Sequence, residues 1–178
     1  MSIPYRLTAE RLRELVDYCS ETGQFFWRSE VRIGFHNSVL GHRQGDKAGT
    51  ARKTDGRNVI RIEGRTYLGY RLAWLWMVGR WPVGEIDHID GNPINDCFSN
   101  LREVSRRINQ QNLRRPLKHK KSSECLGVFA NKPGRRNPWI ASICLDRKQK
   151  YLGAFLTESE ASEAYLAAKR SLHAGCTL

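Results

Sequence analysis

Apolar residues recur at Leu12, Leu15, Val16 and Cys19, a helical spacing that predicts a helix over residues 8–19 with Thr8 as its N-cap. Gly23 closes the next turn, and residues 24–28 (Gln-Phe-Phe-Trp-Arg) read as a strand. Residues 31–45 are rich in Gly and His, show no period, and read as a loop. Over residues 48–68, Ile60 and Ile62 alternate with Arg61, while Asp55-Gly56 and Glu63-Gly64 mark turns; this predicts an antiparallel meander with a basic edge at Arg57, Arg61 and Arg65. Residues 70–78 read as a short helix with Leu72, Leu75 and Trp76 on one side, and Trp74, Trp76 and Trp81 as core anchors. A strand is predicted at 85–89, then a polar turn at Asp90, Gly91, Asn92 and Pro93. Ser105 can cap a further helix, on which Asn109 and Asn112 lie one turn apart.

The C-terminal third changes pattern. Strands are predicted from 127, over 139–145 and over 150–155, followed by a helix from Thr157, where Thr157 and Glu160 match a capping box. Ala161, Ala164, Tyr165, Ala168 and Leu172 form the buried stripe of that helix. Alternation turns Ala141, Ile143 and Leu145 toward it and Ile140, Ser142 and Cys144 outward. The expected fold class is α+β, in three parts: a unit over 1–112, a basic linker over 113–124, and a small three-stranded antiparallel sheet backed by one helix over 125–178.

Charge narrows the partner. The 178 residues carry a formal net charge of +12, which favours an anionic partner, with nucleic acid first. From residue 113 to residue 150, eleven Lys and Arg face only Glu124 and Asp146. The longest apolar run, 72–78, falls far short of the roughly 20 residues that span a bilayer. Residues 1–11 lack an apolar signal core, so a cytoplasmic protein without membrane partners is expected. Five cysteines with no C-x-x-C pair argue against both a disulfide framework and a zinc ribbon.

The chemistry concentrates in residues 85–113. Asp87 offers a hard anionic oxygen, His88 can take a proton near neutral pH, and Asn109 offers a neutral oxygen. Together they supply half a coordination shell and leave positions for water and phosphate, as suits Mg²⁺. Adjacent strand residues point to opposite faces, so Asp87 and His88 reach one phosphate only at a strongly twisted strand end.

With Asp87-His88, Asp90-Gly91-Asn92, Asn100-Leu101-Arg102 and Asn109 at this spacing, the segment resembles the HNH nucleases, most closely the homing-type enzymes of phages and mobile introns. Tyr70-Arg71-Leu72-Ala73-Trp74 also resembles what phage members carry ahead of the Asp-His pair. The resemblance implies a strand–strand–helix unit gripping one divalent metal. His88 becomes general base, Asp87 and Asn109 hold Mg²⁺ or Mn²⁺, and Asn100 ties loop to strand and orients His88 within the catalytic set.

The C-terminal part resembles the plant APETALA/ethylene-response-factor DNA-binding domain through Gly127-Val128, residues 139–143, residues 152–155, Glu160-Ala161 and Ala164-Tyr165. These are mostly scaffold residues; the family's base-reading Arg and Trp positions are not well kept, with Ser142 and Cys144 where acidic and Arg residues are common and Tyr151 where Trp is common. The basic residues expected to touch DNA are Arg114, Arg115, Lys118, Lys120 and Lys121 in the linker, and Arg135, Arg136, Arg147, Lys148 and Lys150 around the sheet. The resulting expectation is a metal-dependent endonuclease on double-stranded DNA that acts as a monomer and nicks one strand. The alternative is a catalytically inactive, sequence-specific DNA-binding protein on a nuclease scaffold.

Overall fold

Thr8 starts the first helix as expected: its Oγ1 accepts from the Arg11 N–H at 3.2 Å, and α1 runs Ala9–Leu15. The helix then stops short of the predicted end. Val16–Cys19 is a strand, β1, paired antiparallel with β2 (Gln24–Trp27). Val16 and Tyr18 are buried while Asp17 is exposed, so these residues satisfy a period of two as well as a helical one. Pairing decides between them: Tyr18 sits opposite Phe25, ring centroids 4.7 Å apart.

The computed structural model describes residues 7–33, 39–114 and 123–177. The chain divides into two compact units, Met1–Val104 and Ser105–Leu178.

In the first unit, β3 (Val31–Ile33) and β4 (Val39–His42) pair antiparallel where no period was visible. β5 (Lys47–Ala48) joins β2, while β6 (Thr50–Ala51), β7 (Asn58–Ile62) and β8 (Arg65–Leu68) form the predicted meander. Glu63 and Gly64, at φ +47° and +78°, make the tight left-handed turn between β7 and β8. α2 (Gly69–Val78) buries Leu72, Ala73 and Leu75 against Leu12, Phe25 and Ile60. Each large side chain so buried contributes about 1.5–3 kcal/mol. Trp74, Trp76 and Trp81 pack on this core as half-buried residues. β9 (Glu85–His88) and β10 (Leu101–Val104) complete the unit as an antiparallel pair.

The second unit begins with α3 (Arg106–Gln111), capped by Ser105, whose Oγ accepts from the Ile108 N–H. β11 (Val128–Ala130), β12 (Trp139–Leu145) and β13 (Lys148–Phe155) form a three-stranded antiparallel sheet in that order, with α4 (Glu158–Leu172) packed on one face. The predicted Thr157–Glu160 capping box is present. Ala141 and Ile143 are buried under α4 with Val128, Ala161 and Tyr165. Gly127 is needed beneath Tyr165, because a Cβ there would lie 1.9 Å from the ring and φ is +66°. The buried stripe of α4 differs from the expected one. Leu172 is exposed, whereas Lys169 is only 1% exposed and its ammonium donates to the Leu113 carbonyl. Burial pushes the Lys169 ammonium below its ordinary pKa.

Among the described residues no helix is long and apolar enough to cross a membrane.

Candidate functional site

β9 is a four-residue strand with a polar end. Asp87 and His88 are 5% and 6% exposed, although both are strongly polar. Burial of such groups is tolerated only when each is hydrogen-bonded. Strand alternation sends them to different partners. Asp87 lies opposite Arg102 on β10, and Arg102 donates to Oδ2 through Nε (2.9 Å) and Nη2 (2.7 Å). His88 places Nε2 3.1 Å from Oδ1 of Asp96, a carboxylate that is 3% exposed. The ring of Tyr70 meets the imidazole edge-on, with centroids 5.2 Å apart. Arg57, from the basic edge of the meander, lies over the same Tyr70 ring at 5.3 Å.

The turn after β9 is held by side chains. The Gly91 N–H donates to the His88 carbonyl, and the Ile89 N–H donates to the Asn100 carbonyl, both at 2.8 Å. Asn100 is buried; its Nδ2 donates to Asp90 Oδ1 (2.9 Å) and the Asn95 carbonyl (2.8 Å), and its Oδ1 accepts from the Asp90 N–H (2.9 Å). Burial raises the Asp90 pKa, but hydrogen bonds from the Asn95 side chain, the Asn92 N–H and Asn100 outweigh it and leave the carboxyl below its ordinary value. The approach to β9 is pinned similarly. The Arg80 guanidinium, then the Gly84 and Val83 N–H groups, hold the Glu103 carboxyl at about 2.

Asn109 sits half-buried on α3, in the second unit. Asn112, on the same face, is spent on packing: its Oδ1 accepts from Thr177 Oγ1 at 2.6 Å. Arg114 donates to Thr177 as well, through its carbonyl (3.2 Å) and Oγ1 (3.0 Å). Arg115, Lys118, Lys120 and Lys121 lie outside the described residues.

The sheet of the second unit sorts the remaining basic residues. Ile140, Ser142 and Cys144 face away from α4, as alternation predicts. Cross-strand partners share a face. Tyr151 and Gln149 therefore join Ser142 and Cys144 on the outer side, whereas Lys150 and Lys148 lie with Ile143 and Leu145 on the helix side. A bulge between Ala141 and Ser142 shifts the register there. Arg135 and Arg136 are exposed in the loop before β12 and line a shallow cleft with Lys132, Ile140, Tyr151 and Ala154. Arg147 is exposed at the β12–β13 turn.

Two participants are not evident from the sequence alone. Asp96 stands in an Asn-Asp-Cys turn with no period to single it out. Arg102 reads there only as part of an Asn-Leu-Arg motif; its cross-strand position opposite Asp87 is the signal that identifies it. The donor set bears on metal binding too. Among the described residues no group of three or more His, Cys, Asp or Glu could hold an ion, so an ion at Asp87 would take further ligands from amide, water or phosphate oxygens. That composition fits Mg²⁺ or Mn²⁺.

Comparison with known proteins finds three similarities, one of which is placed on this stretch. Residues 69–111, which contain Asp87, His88, Asn100 and Asn109, match the family model described as HNH endonuclease. Protein 3.8 of Escherichia phage T7 is 32% identical over 78 residues, which make up 42% of this chain and 61% of that protein. The chain thus matches less than two thirds of the length of this curated relative. A solved structure described as "DNA binding and cleavage by the HNH homing endonuclease I-HmuI" aligns with 55% of this chain and 51% of that chain, at 23% identity and a TM-score of 0.39.

Proposed function

We propose that the chain is a metal-dependent DNA endonuclease of the HNH type, with His88 as general base, nicking one strand of double-stranded DNA per binding event. The observation that carries this reading is the buried Asp87–His88 pair at the end of β9, inside the segment that matches the HNH endonuclease model. In this mechanism the His88 imidazole takes a proton from a water aligned with the scissile phosphorus. Asn100 does no chemistry; it holds the 90–95 turn against the start of β10 and so keeps the backbone around His88 in place. By the resemblance, Asp87 and Asn109 would hold the Mg²⁺ or Mn²⁺. A divalent ion, when bound, offsets charge developing on the leaving 3′ oxygen. The products are 5′-phosphate and 3′-hydroxyl ends.

DNA recognition falls to the second unit, read as an APETALA-type module whose outer sheet face, bearing Tyr151, Ser142 and Ile140, enters the major groove. Arg135, Arg136 and Arg147 flank it as phosphate contacts, with Arg114, Arg115, Lys118, Lys120 and Lys121 tracking the backbone from the linker. Lys148 and Lys150 contribute from the sheet edge.

Incubating the protein with supercoiled plasmid and Mg²⁺ or Mn²⁺ tests the reading. A monomer with one catalytic constellation aligns one water and one phosphate at a time. Open circles are therefore expected to accumulate before linear DNA. Linear product appearing first, at a rate that depends on the square of protein concentration, overturns the nicking monomer.

One observation favours the alternative of an inactive DNA-binding scaffold: the Arg102 guanidinium engages Oδ2 of Asp87 at 2.7 Å, placing a fixed cation beside the proposed metal ligand. Metal titration separates the two. Asp87→Ala and Asn109→Ala are each expected to raise the Mg²⁺ concentration at half-maximal cleavage, since each removes an oxygen ligand. A midpoint unchanged from wild type in both variants puts the metal elsewhere. No cleavage by wild type with either metal leaves the scaffold reading.

A further inference from the structure

We infer that Asp96 is a positioning residue for His88, holding the imidazole in the tautomer with its proton on Nε2 and its basic lone pair on Nδ1. The inference rests on the reading of His88 as general base. It starts from a pairing that neither the motif nor the family match singles out. Asp96 Oδ1 lies 3.1 Å from His88 Nε2, and both residues are buried. An ionised carboxylate only accepts hydrogen bonds, so Nε2 is the donor, and in the neutral ring Nδ1 then carries the lone pair. Which ring nitrogen is basic is thus set by the partner of the other.

Asp96 is itself held on several sides, as a group that must fix another's orientation has to be. The Tyr18 hydroxyl donates to its backbone carbonyl at 2.6 Å. Burial, and then the Asp96 charge, push the Tyr18 hydroxyl above its ordinary pKa, so it remains a donor there. Cys97 and Phe98 are tied to the β1–β2 turn: the Phe98 N–H donates to the Ser20 carbonyl at 3.0 Å, and the Cys97 thiol donates to the Glu21 carbonyl at 2.8 Å. On the carboxylate side, Gly69 begins α2 against Oδ2; a Cβ at Gly69 would lie 2.6 Å from that oxygen. Gly23 makes room for the Asp96 backbone in the same way, a Cβ there falling 2.5 Å from its carbonyl carbon. The β1–β2 hairpin thus holds the Asp96 backbone, while the start of α2 lies against its carboxylate, whose hydrogen-bonded side-chain partner is the imidazole of His88. Tyr70 closes the ring from another side.

The test combines Asp96→Asn, Asp96→Glu and ¹⁵N spectra of the imidazole ring. The wild-type spectrum of the neutral ring is expected to show His88 with its proton on Nε2. Asp96→Asn keeps size and removes the anionic acceptor. It is expected to lower kcat by up to about ten-thousandfold, the scale seen when an orienting carboxylate of another enzyme is made an amide, with KM for DNA unchanged and the proton redistributed toward Nδ1. Asp96→Glu, which restores the carboxylate, is expected to recover part of the rate. A wild-type ring carrying its proton on Nδ1 overturns the inference, as does an Asp96→Asn protein with wild-type kcat. If Asp96→Asn does not fold, the wild-type spectrum and Asp96→Glu decide alone: a glutamate variant with the proton moved to Nδ1 and an unchanged rate also overturns it. Wild-type protein that never cleaves but shows the Nε2 proton would refute the nuclease reading and uphold the placement of the ring.

Discussion

His88→Ala is expected to lower plasmid cleavage by about a hundredfold or more, the usual scale for loss of a general base, while DNA affinity stays at the wild-type level. The two readouts separate because His88 is 6% exposed and at the end of β9, whereas those proposed DNA contacts that lie among the described residues are exposed basic residues of the second unit. The substitution has a structural cost that must be measured beside it. Asp96 loses the partner of its buried carboxylate, and an unsatisfied buried group costs about 1–3 kcal/mol. Thermal unfolding of His88→Ala should therefore fall modestly, and cleavage is compared at a temperature where both proteins are folded. His88→Gln is the companion variant, since its amide can still donate to Asp96 yet cannot act as a base near neutral pH. Both variants are expected to bind labelled duplex normally. Near-wild-type cleavage by clean preparations of both removes His88 from the chemistry.

Truncation after Asn112 is expected to have the second large effect, through two routes. The first is electrostatic. Thirteen Lys and Arg are removed with five acids, and eleven of those basic residues lie between residues 113 and 150 with only two of the acids. Each DNA phosphate that is no longer neutralised lowers the slope of log affinity against log salt by about 0.9 on duplex DNA. Weaker binding with a flatter salt dependence is the expected result, and an unchanged slope counts against a DNA-binding second unit. The second route is structural. α3 is six residues long, far below the about 12–15 at which an isolated helix becomes marginal. Its end is held by α4 and the C-terminal residues: the Gly175 N–H donates to Gln111 Oε1 at 3.0 Å, Thr177 to Asn112, and buried Lys169 to the Leu113 carbonyl. Gly175 lies so close that a Cβ would come 2.3 Å from the Ile108 carbonyl oxygen. The truncated chain therefore carries Asn109 on an unsupported turn, and its cleavage is expected to need more Mg²⁺ as well as more protein. Arg135→Ala combined with Arg136→Ala isolates the first route: these exposed loop residues are expected to flatten the salt slope without moving the metal midpoint.

The chain itself determined what local interactions set. Thr8, Ser105 and Thr157 cap the helices they were expected to cap, because a cap is a bond between a side chain and an N–H three residues on. The Glu63-Gly64 turn and the inward set of Ala141 and Ile143 arise from backbone preference and strand period in the same way. The Asp87–His88 pair was legible because its residue types and spacing stand in one short stretch. Tertiary structure decided the matters in which partners are distant in sequence. Residues 16–19 fit a helix and a strand equally by period, and pairing with β2 chose the strand. The stretch 31–45 has no period, yet it contains a paired β3 and β4. Nothing local in the sequence marks Lys169 for burial; the fold brings the Leu113 carbonyl to it. Asp96 reads as a turn residue until the β1–β2 hairpin and the start of α2 close around it and set its carboxylate against His88. A cap or a turn is written within a few residues, whereas a buried polar pair depends on which segments pack together, and that is settled by the burial of the whole unit.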